Sequence, residues 1–408
     1  MKLELNPNIL RLVCAHTREA FVPSDLGSRP IGRHGESPLL FEYDLGAISR
    51  QPVLPPFVAP SGPGLWRYGP LLPVSGVSER YAGDVGRTPV VCDERLLSEH
   101  GVELHLKLEG RNPSGSFKDR GLAVAVALAV ACGARRLCLP TQGCAGVAAA
   151  LFSARAGLPG PVVYMAEPAR DGAYHRAAAA FGAEVRFAGA SIGEAGERMR
   201  ADLARELAEE RWLDASTFFE PGRLEGKKTM GFEIVESFGP TRLPDVILYP
   251  TGGGTGLVGI WKAFDELAGL GVLARGARRP RMVAVQSERC APVVRAFEGK
   301  LGRVEPVRSE GTVAEGLDVP AAVMGASMLA VLRESGGTAV AVREEAILAA
   351  HAALARHGLS AGYEGAAAVA ALAPLCKRGD VKAGERVLCI LTSSHLVSLA
   401  ARAARGDA

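Results

Sequence analysis

The sequence predicts an α/β protein of two doubly wound α/β lobes, each a parallel sheet with helices on both faces, preceded by an N-terminal extension. From about residue 80 onward, short β-type runs alternate with Ala-rich helical stretches, and βαβα order implies parallel strands covered on both faces. The alternation comes in two series, the second starting near residue 227, so one lobe is assembled from two separate segments. The third observation is bulk. A chain of 408 residues, 48% hydrophobic and 22% charged, suffices for two or three packed domains and lacks the charge-rich, apolar-poor profile of disorder.

Residues 1–75 are rich in Pro, Gly and Ser, with short apolar clusters such as Leu39-Leu40-Phe41 and Val53-Leu54. They predict an extension with little regular structure, wrapped on the main body. The first series then reads strand 104–108, helix 121–132, strand 136–140, helix 146–156, strand 162–165, helix 174–181, strand 184–187 and a long helix 192–210. The second reads helix 227–238, strand 246–249, helix 257–268, strand 281–286, helices 344–357 and 364–373, and strand 386–391. The boundaries expected from this pattern are 1–75 for the extension, 76–129 with 220–408 for a large domain, and 130–219 for a small α/β domain. No internal repeat of 20 to 50 residues is present, which argues against a solenoid or propeller.

Charge and hydropathy exclude two classes of partner. Lys plus Arg number 47 against 44 Asp plus Glu, with no dense basic run, so the electrostatic footprint of a nucleic-acid binder is missing. The longest apolar run, 121–134, is fenced by Asp119, Arg120, Arg135 and Arg136 and is too short for a membrane crossing. It reads as a buried helix. Residues 1–10 contain no apolar signal core, and the eight cysteines have no repeating spacing, which points to reduced thiols in the cytoplasm and against a disulfide framework.

Two segments carry chemistry. In the first, 107–121, a strand leads through the turn Asn112-Pro113-Ser114-Gly115 to a helix start with Ser116 as the candidate N-cap and Lys118 in the first turn. The helix dipole and Arg120 both disfavour an ammonium there, and a lysine of lowered pKa is what Schiff-base chemistry requires. Taken alone, Lys118 also fits a solvated surface lysine. The second segment, Tyr249-Pro-Thr-Gly252-Gly253-Gly254-Thr255-Gly256, lies between an apolar strand and a helix. Its backbone N–H groups and the following helix N-terminus suit a phosphate, although a Gly-rich turn by itself also serves tight chain reversal. It matches neither the G-x-x-x-x-G-K-[ST] nor the G-x-G-x-x-G pattern. Together, an imine-forming lysine and a phosphate cradle describe a site for pyridoxal phosphate, PLP.

With these motifs the chain resembles the fold-type II PLP-dependent enzymes, the tryptophan synthase β-like superfamily, and within them the threonine synthases. The stretch Asn112-Pro-Ser-Gly-Ser-Phe-Lys118-Asp-Arg resembles the Schiff-base lysine motif, and 250–256 with 257–266 resembles the phosphate loop and its helix. Further stretches agree in order at 66–74, 88–89, 223–231, 285–292 and 363–368, so the likeness spans roughly residues 10 to 397. The resemblance implies that Lys118 holds PLP and shuttles protons, and that Gly252, Gly253, Gly254, Thr255 and Gly256 bind its phosphate. It also implies that the Thr392 hydroxyl lies near the pyridine nitrogen. Ser116, Thr141, Arg223, Lys228 and Thr229 are the implied substrate-binding residues, with Lys227 a further cation of the same loop.

Three positions depart from the family pattern. Cys144, in Thr141-Gln142-Gly143-Cys144, stands where the family has an Asn beside the ring, exchanging an amide donor for a weakly donating thiol. It is taken as a cofactor-contact residue, with a packing role as the alternative. His395, in Leu391-Thr-Ser-Ser-His395, enters a loop where relatives carry glycine and is the candidate substrate contact or proton shuttle. At the N-terminus, relatives often carry a zinc ribbon. Here one ribbon thiol remains, Cys14, with Thr17, Ile31 and His34 near the other ligand positions and His16 close by, so the expectation is a degenerate ribbon with no metal. The implied activity converts O-phospho-L-homoserine and water to L-threonine and phosphate. The alternatives are β-replacement on O-phosphoserine with sulfite, as in cysteate synthases, and serine or threonine dehydration. Retention of both Lys118 and the loop argues against a non-catalytic protein. The expected partners are a phosphorylated amino acid and a second copy of the chain, as a homodimer.

Overall fold

The computed structural model describes residues 3–22, 33–34, 37–50, 62–96, 100–217, 219–274 and 276–403. Its largest sheet has six strands in the order Thr338–Val342, Arg281–Ser287, Val246–Pro250, Arg386–Leu391, Glu103–Leu108 and Val90–Cys92. The first five run parallel, and the edge pair Val90–Cys92 with Glu103–Leu108 is antiparallel. A second, wholly parallel sheet orders Glu184–Phe187, Val162–Met165, Arg136–Pro140 and Trp212–Asp214. The inner strands are apolar on both faces, as in Val246–Pro250 and Val162–Met165, where every residue is buried. That is what helices on either side require.

The Lys118–Ala131 helix shows why a sequence of small apolar residues folds this way. Residues 119–129 are all buried, with no polar face, because the helix lies between the Gly222–Phe238 and Cys144–Ala156 helices. Its crossing with Gly222–Phe238 depends on two glycines. A Cβ on Gly226 would lie 1.9 Å from the Arg120 carbonyl oxygen, and one on Gly121 would lie 2.9 Å from that of Arg223. The two backbones therefore touch at this crossing. Replacing a core side chain here, Leu122→Ala for example, would cost about 2–5 kcal/mol through the cavity left behind.

The extension departs from expectation. It packs on the main body but is regular: Ala20–Phe21, Ile9–Cys14, Ser37–Tyr43 and Arg33–His34 form a four-stranded antiparallel sheet in that order. The cluster Leu39-Leu40-Phe41 is strand rather than loop, with Phe41 fully buried; Val53-Leu54 lies outside the described residues. Tyr43 donates to Glu225 Oε2 (2.8 Å), and the Tyr68 ring meets Phe232 at 4.9 Å, so the extension docks on the Gly222–Phe238 helix. Around Cys14, the Thr17 N–H donates to the sulfur (3.3 Å). Among the described residues no group of three or more His, Cys, Asp or Glu side chains could hold a metal ion; Ile31 lies outside them.

Two predicted helices are broken. The segment 192–210 bends at Leu203 into Ile192–Asp202 and Ala204–Glu209. The segment 364–373 ends at Ala370 and restarts as Leu372–Arg378, because Pro374 has no N–H to give the Ala370 carbonyl. Among the described residues no helix is long and apolar enough to cross a membrane.

Candidate active site

A cavity of about 470 Å³ opens at the carboxyl ends of strands from both sheets: Arg136–Pro140 on one side, Val246–Pro250 and Arg386–Leu391 on the other. This is where open α/β sheets place ligands. Lys118 reaches it as the first residue of its helix. The position is fixed by lacing the preceding turn to the end of the last strand. The Phe117 N–H donates to the Thr392 carbonyl and the Ser394 N–H to that of Gly115, both at 2.9 Å.

Burial, followed by the nearby Arg223 guanidinium, lowers the Lys118 pKa to about 8, only partly opposed by Cys144 and Glu364. A lysine that loses its proton near neutral pH is equipped for imine and proton-transfer chemistry. The predicted causes need correction. Phe117, not Ser116, is the cap residue, and Ser116 instead lines the cavity and accepts from the Lys118 N–H (3.4 Å). Arg120 plays no part, because two residues along a helix points the opposite way. Its guanidinium is fully buried between Glu109 (Nε to Oε2, 2.7 Å) and Glu233 (Nη2 to Oε2, 2.6 Å).

The glycine turn forms the opposite wall. Gly254 has φ +88°, and a Cβ there would lie 2.4 Å from the Met328 sulfur, so the turn accepts no side chain at this point. The Thr255–Gly269 helix begins immediately after it, and Gly252, Gly253, Thr255 and Gly256 line the cavity with it. Thr141 and Thr392 line it too and are buried. Cys144 opens the Cys144–Ala156 helix and lines the cavity with Tyr174 and Ser116. Burial above all pushes the Cys144 thiol up to about 11, so it stays protonated. Arg223 enters from the Gly222–Phe238 helix. It is buried, with Nη1 donating to the Ala215 carbonyl (2.9 Å) and Nε without a partner.

Three sequence-predicted site residues fall outside the cavity. Lys228 is turned about 100° from Lys227 around the helix and is paired with Glu225 (2.5 Å) and Glu266 (2.9 Å). The Thr229 hydroxyl donates to the Gly226 carbonyl (2.6 Å) and accepts from Arg120 Nη1 (3.0 Å), which makes it part of the Arg120 network. His395 starts the last helix and stacks on His351, with Nδ1 2.9 Å from His351 Nε2. His351 is itself buried. Conversely, Tyr174, Glu364 and much of the 315–323 segment line the cavity without having been predicted. Glu364 lies in a stretch matched by resemblance, but nothing local marked it as a cavity residue. It accepts from the Gly316 N–H (2.9 Å) and the Ser393 hydroxyl (3.3 Å), tying that segment to the wall.

The family described as "Pyridoxal-phosphate dependent enzyme" matches residues 81–393, which include the lysine, the glycine turn and Thr392. The chain belongs to this pyridoxal-phosphate dependent enzyme family. Similar proteins agree. The threonine synthase of Methanosarcina acetivorans is 34% identical over 339 residues, covering 82% of this chain and 80% of its own. That of Methanocaldococcus jannaschii is 31% identical over 341 residues, covering 82% and 80%. Among solved structures, a threonine deaminase from T.th. superposes with TM-score 0.60 at 26% identity, covering 76% of this chain and 92% of its own. Maize serine racemase, at 19% identity and TM-score 0.61, covers 76% and 88% and shares the fold. The enzyme depends on PLP, and its residues fit that group. An amine of depressed pKa shares the cavity with a glycine turn at a helix N-terminus, and two buried polar atoms of cavity-lining residues, Arg223 Nε and the Tyr249 hydroxyl, have no hydrogen-bond partner among the described residues.

Proposed function

We propose that the chain is a PLP-dependent carbon–oxygen lyase of the threonine synthase type, converting O-phospho-L-homoserine and water to L-threonine and phosphate. The observation that carries the reading is the pairing, in one cavity, of Lys118 with the buried Arg223 guanidinium. One is a proton-transferring amine and the other an unpaired planar cation suited to a phosphate ester. The relatives named threonine synthase, at 31–34% identity, support it.

PLP, when bound, supplies an electron sink beside the substrate α-carbon. Lys118 would hold it, the 252–256 turn would take its phosphate, and the Thr392 hydroxyl and the Cys144 thiol would flank its ring. The chain's own groups then do the rest. Lys118 Nζ takes and returns protons, Arg223 holds the substrate phosphate as the Cγ–O bond breaks, and Ser116 and Thr141 orient the amino acid. Water provides the hydroxyl that ends on Cβ. We further assign 76–129 with 220–408 to a large PLP-binding domain and 130–219 to a small one, in a cytoplasmic homodimer whose extension is a ribbon without metal.

The test is a substrate panel on purified enzyme with inorganic phosphate and amino-acid product both measured. Phosphate and threonine formed together from O-phosphohomoserine at about 1 per second or faster support the proposal. A second reading, β-replacement on O-phosphoserine, is favoured by Ser393, whose side chain joins the cavity wall and takes up room. Phosphate from O-phosphoserine alone, with a second nucleophile such as sulfite required, would establish it. Formation of 2-oxobutyrate or pyruvate from free threonine or serine, without phosphate release, would instead indicate a dehydratase.

A further inference from the structure

Lys227 is a buried cation that the proposed chemistry leaves without a task. It follows Arg223 by one helical turn and therefore shares its cavity-facing side. Its Nζ donates to Thr255 Oγ1 at 2.5 Å and lies 5.0 Å from the centre of the Phe117 ring. The side chain is 1% exposed, and among the described residues no carboxylate lies in ion-pair contact with it; buried Glu220 acts on it only from beyond contact. Its neighbour Lys228, equally buried, has two such carboxylates. A buried ammonium without a counter-charge is costly, and folds keep one where a ligand supplies the charge.

We propose that Lys227 is the counter-ion of the cofactor phosphate, and that it does not bind the substrate. The inference rests on the assignment of Lys118 and the glycine turn to PLP. Thr255 is the first residue of the helix whose N-terminus closes that turn. Turn amides and a hydroxyl offer only dipoles, whereas a phosphate monoester carries close to two negative charges at neutral pH. An oxygen hydrogen-bonded to Thr255 Oγ1 lies within ion-pair reach of Nζ, because the two atoms are already in contact. Arg223 is held on the other side by the Ala215 carbonyl, just past the end of the Trp212–Asp214 strand, and so remains for the second anion. Burial, then the charges of Lys118 and Arg223, hold the Lys227 pKa well below its usual value, only partly opposed by Glu220, and a bound phosphate would raise it.

The experiment compares PLP with pyridoxal, which has the same ring and aldehyde but no phosphate, binding to apoprotein prepared from wild type, Lys227→Gln and Lys227→Met. Gln keeps a donor for Thr255 and removes only the charge; Met removes both. Dissociation constants come from visible absorbance, folding is checked by circular dichroism, and borohydride labelling locates the attached lysine. The expected result is a 10- to 100-fold loss of PLP affinity in Lys227→Gln, the range of one charge-assisted contact. Pyridoxal affinity should change less than about threefold, with the label still on Lys118. Equal losses for both compounds would make Lys227 structural and overturn the proposal. Unchanged PLP affinity with a raised KM for the phosphorylated substrate would overturn it in favour of substrate binding. If wild type itself carries no label on Lys118, the cofactor-site reading fails first, and that outcome is read separately from either variant.

Discussion

The crossing of the Lys118–Ala131 and Gly222–Phe238 helices separates two populations of buried cations. Away from the cavity, Arg120 is paired with Glu109 and Glu233, Lys107 with Glu233 at 2.8 Å, and Lys228 with Glu225 and Glu266. Facing the cavity, Lys118, Arg223 and Lys227 make no ion pair among the described residues. Arg223 and Lys227 are as buried as the first group and Lys118 is part-buried; what differs is carboxylate contact, since Glu220 acts on Arg223 and Lys227 without forming an ion pair. Where the fold provides the counter-charge, the cation belongs to the architecture; where it withholds it, the cation is available to an anionic ligand.

The largest effect expected on the cavity side is that of Lys118→Ala. Turnover should fall by at least 10²–10⁴-fold, the worth of a positioned acid–base group, while circular dichroism and thermal melting stay near wild type. In wild type, the rate of PLP capture by apoprotein should rise with pH and level off above about 8, as the amine loses its proton. A flat profile between pH 6.5 and 9 would contradict the depressed pKa.

Across the crossing, Arg120→Met should cost stability. It leaves two buried carboxylates without their guanidinium, for about 3–5 kcal/mol, read as a lower urea midpoint. Burial alone would raise the Glu233 pKa, but Arg120 and Lys107 outweigh it and hold the carboxyl well below its ordinary range. A carboxyl depressed by folding stabilises above its unfolded pKa and stops doing so as pH falls through the folded value. Wild type should therefore weaken on acidification, and Arg120→Met should show the flatter acid limb.

Smaller changes belong to Cys144. Cys144→Asn should move the visible band of the bound cofactor more than Cys144→Ser, which keeps a small protic group of similar shape at the helix start. Turnover should change by about tenfold or less. Identical spectra and rates in both variants would reduce the thiol to packing. The smallest effect is that of His395→Asn. With its ring on His351 instead of the cavity, kcat/KM should stay within about twofold of wild type, and a larger loss would return His395 to the site.

Much of this was legible in the sequence. The strands Arg136–Pro140, Val162–Met165 and Arg386–Leu391 fall where the apolar runs place them, because strands buried on both faces leave a nearly unbroken apolar signature; the part-exposed edge strand Glu184–Phe187 also falls where it was expected. The N-terminal sheet was not legible. Its strands are short and the composition is diluted by the Pro, Gly and Ser between them, so the alternating pattern never runs long enough to register. In the site, residues adjacent in sequence were found together, but their facing was not. Lys227, Lys228 and Thr229 read as one cationic loop; helical rotation sends the first to the cavity, the second to Glu225 and Glu266, and the third to Arg120. Phasing the segment on Arg223 would have singled out Lys227, four residues on. Tyr174 and Glu364 reach the cavity only through tertiary folding, and no local pattern announces them.

The backbone contact at Gly226 sets a ruler inside the enzyme. Lys118 stands on one helix and Arg223 and Lys227 on the other, and the two helices meet carbonyl against glycine with no side chain between them. The separation between the backbones that carry the amine and the two cavity-lining cations is thus set by main-chain contact, which repacking of nearby side chains cannot stretch. On the proposed function, a longer or shorter amino acid would be accommodated by the rest of the cavity wall, where Glu364 ties down the 315–323 segment and Ser393 is a lining residue. Changes of substrate in this scaffold are therefore to be sought in that part of the wall, while the spacing of the two helices stays constant.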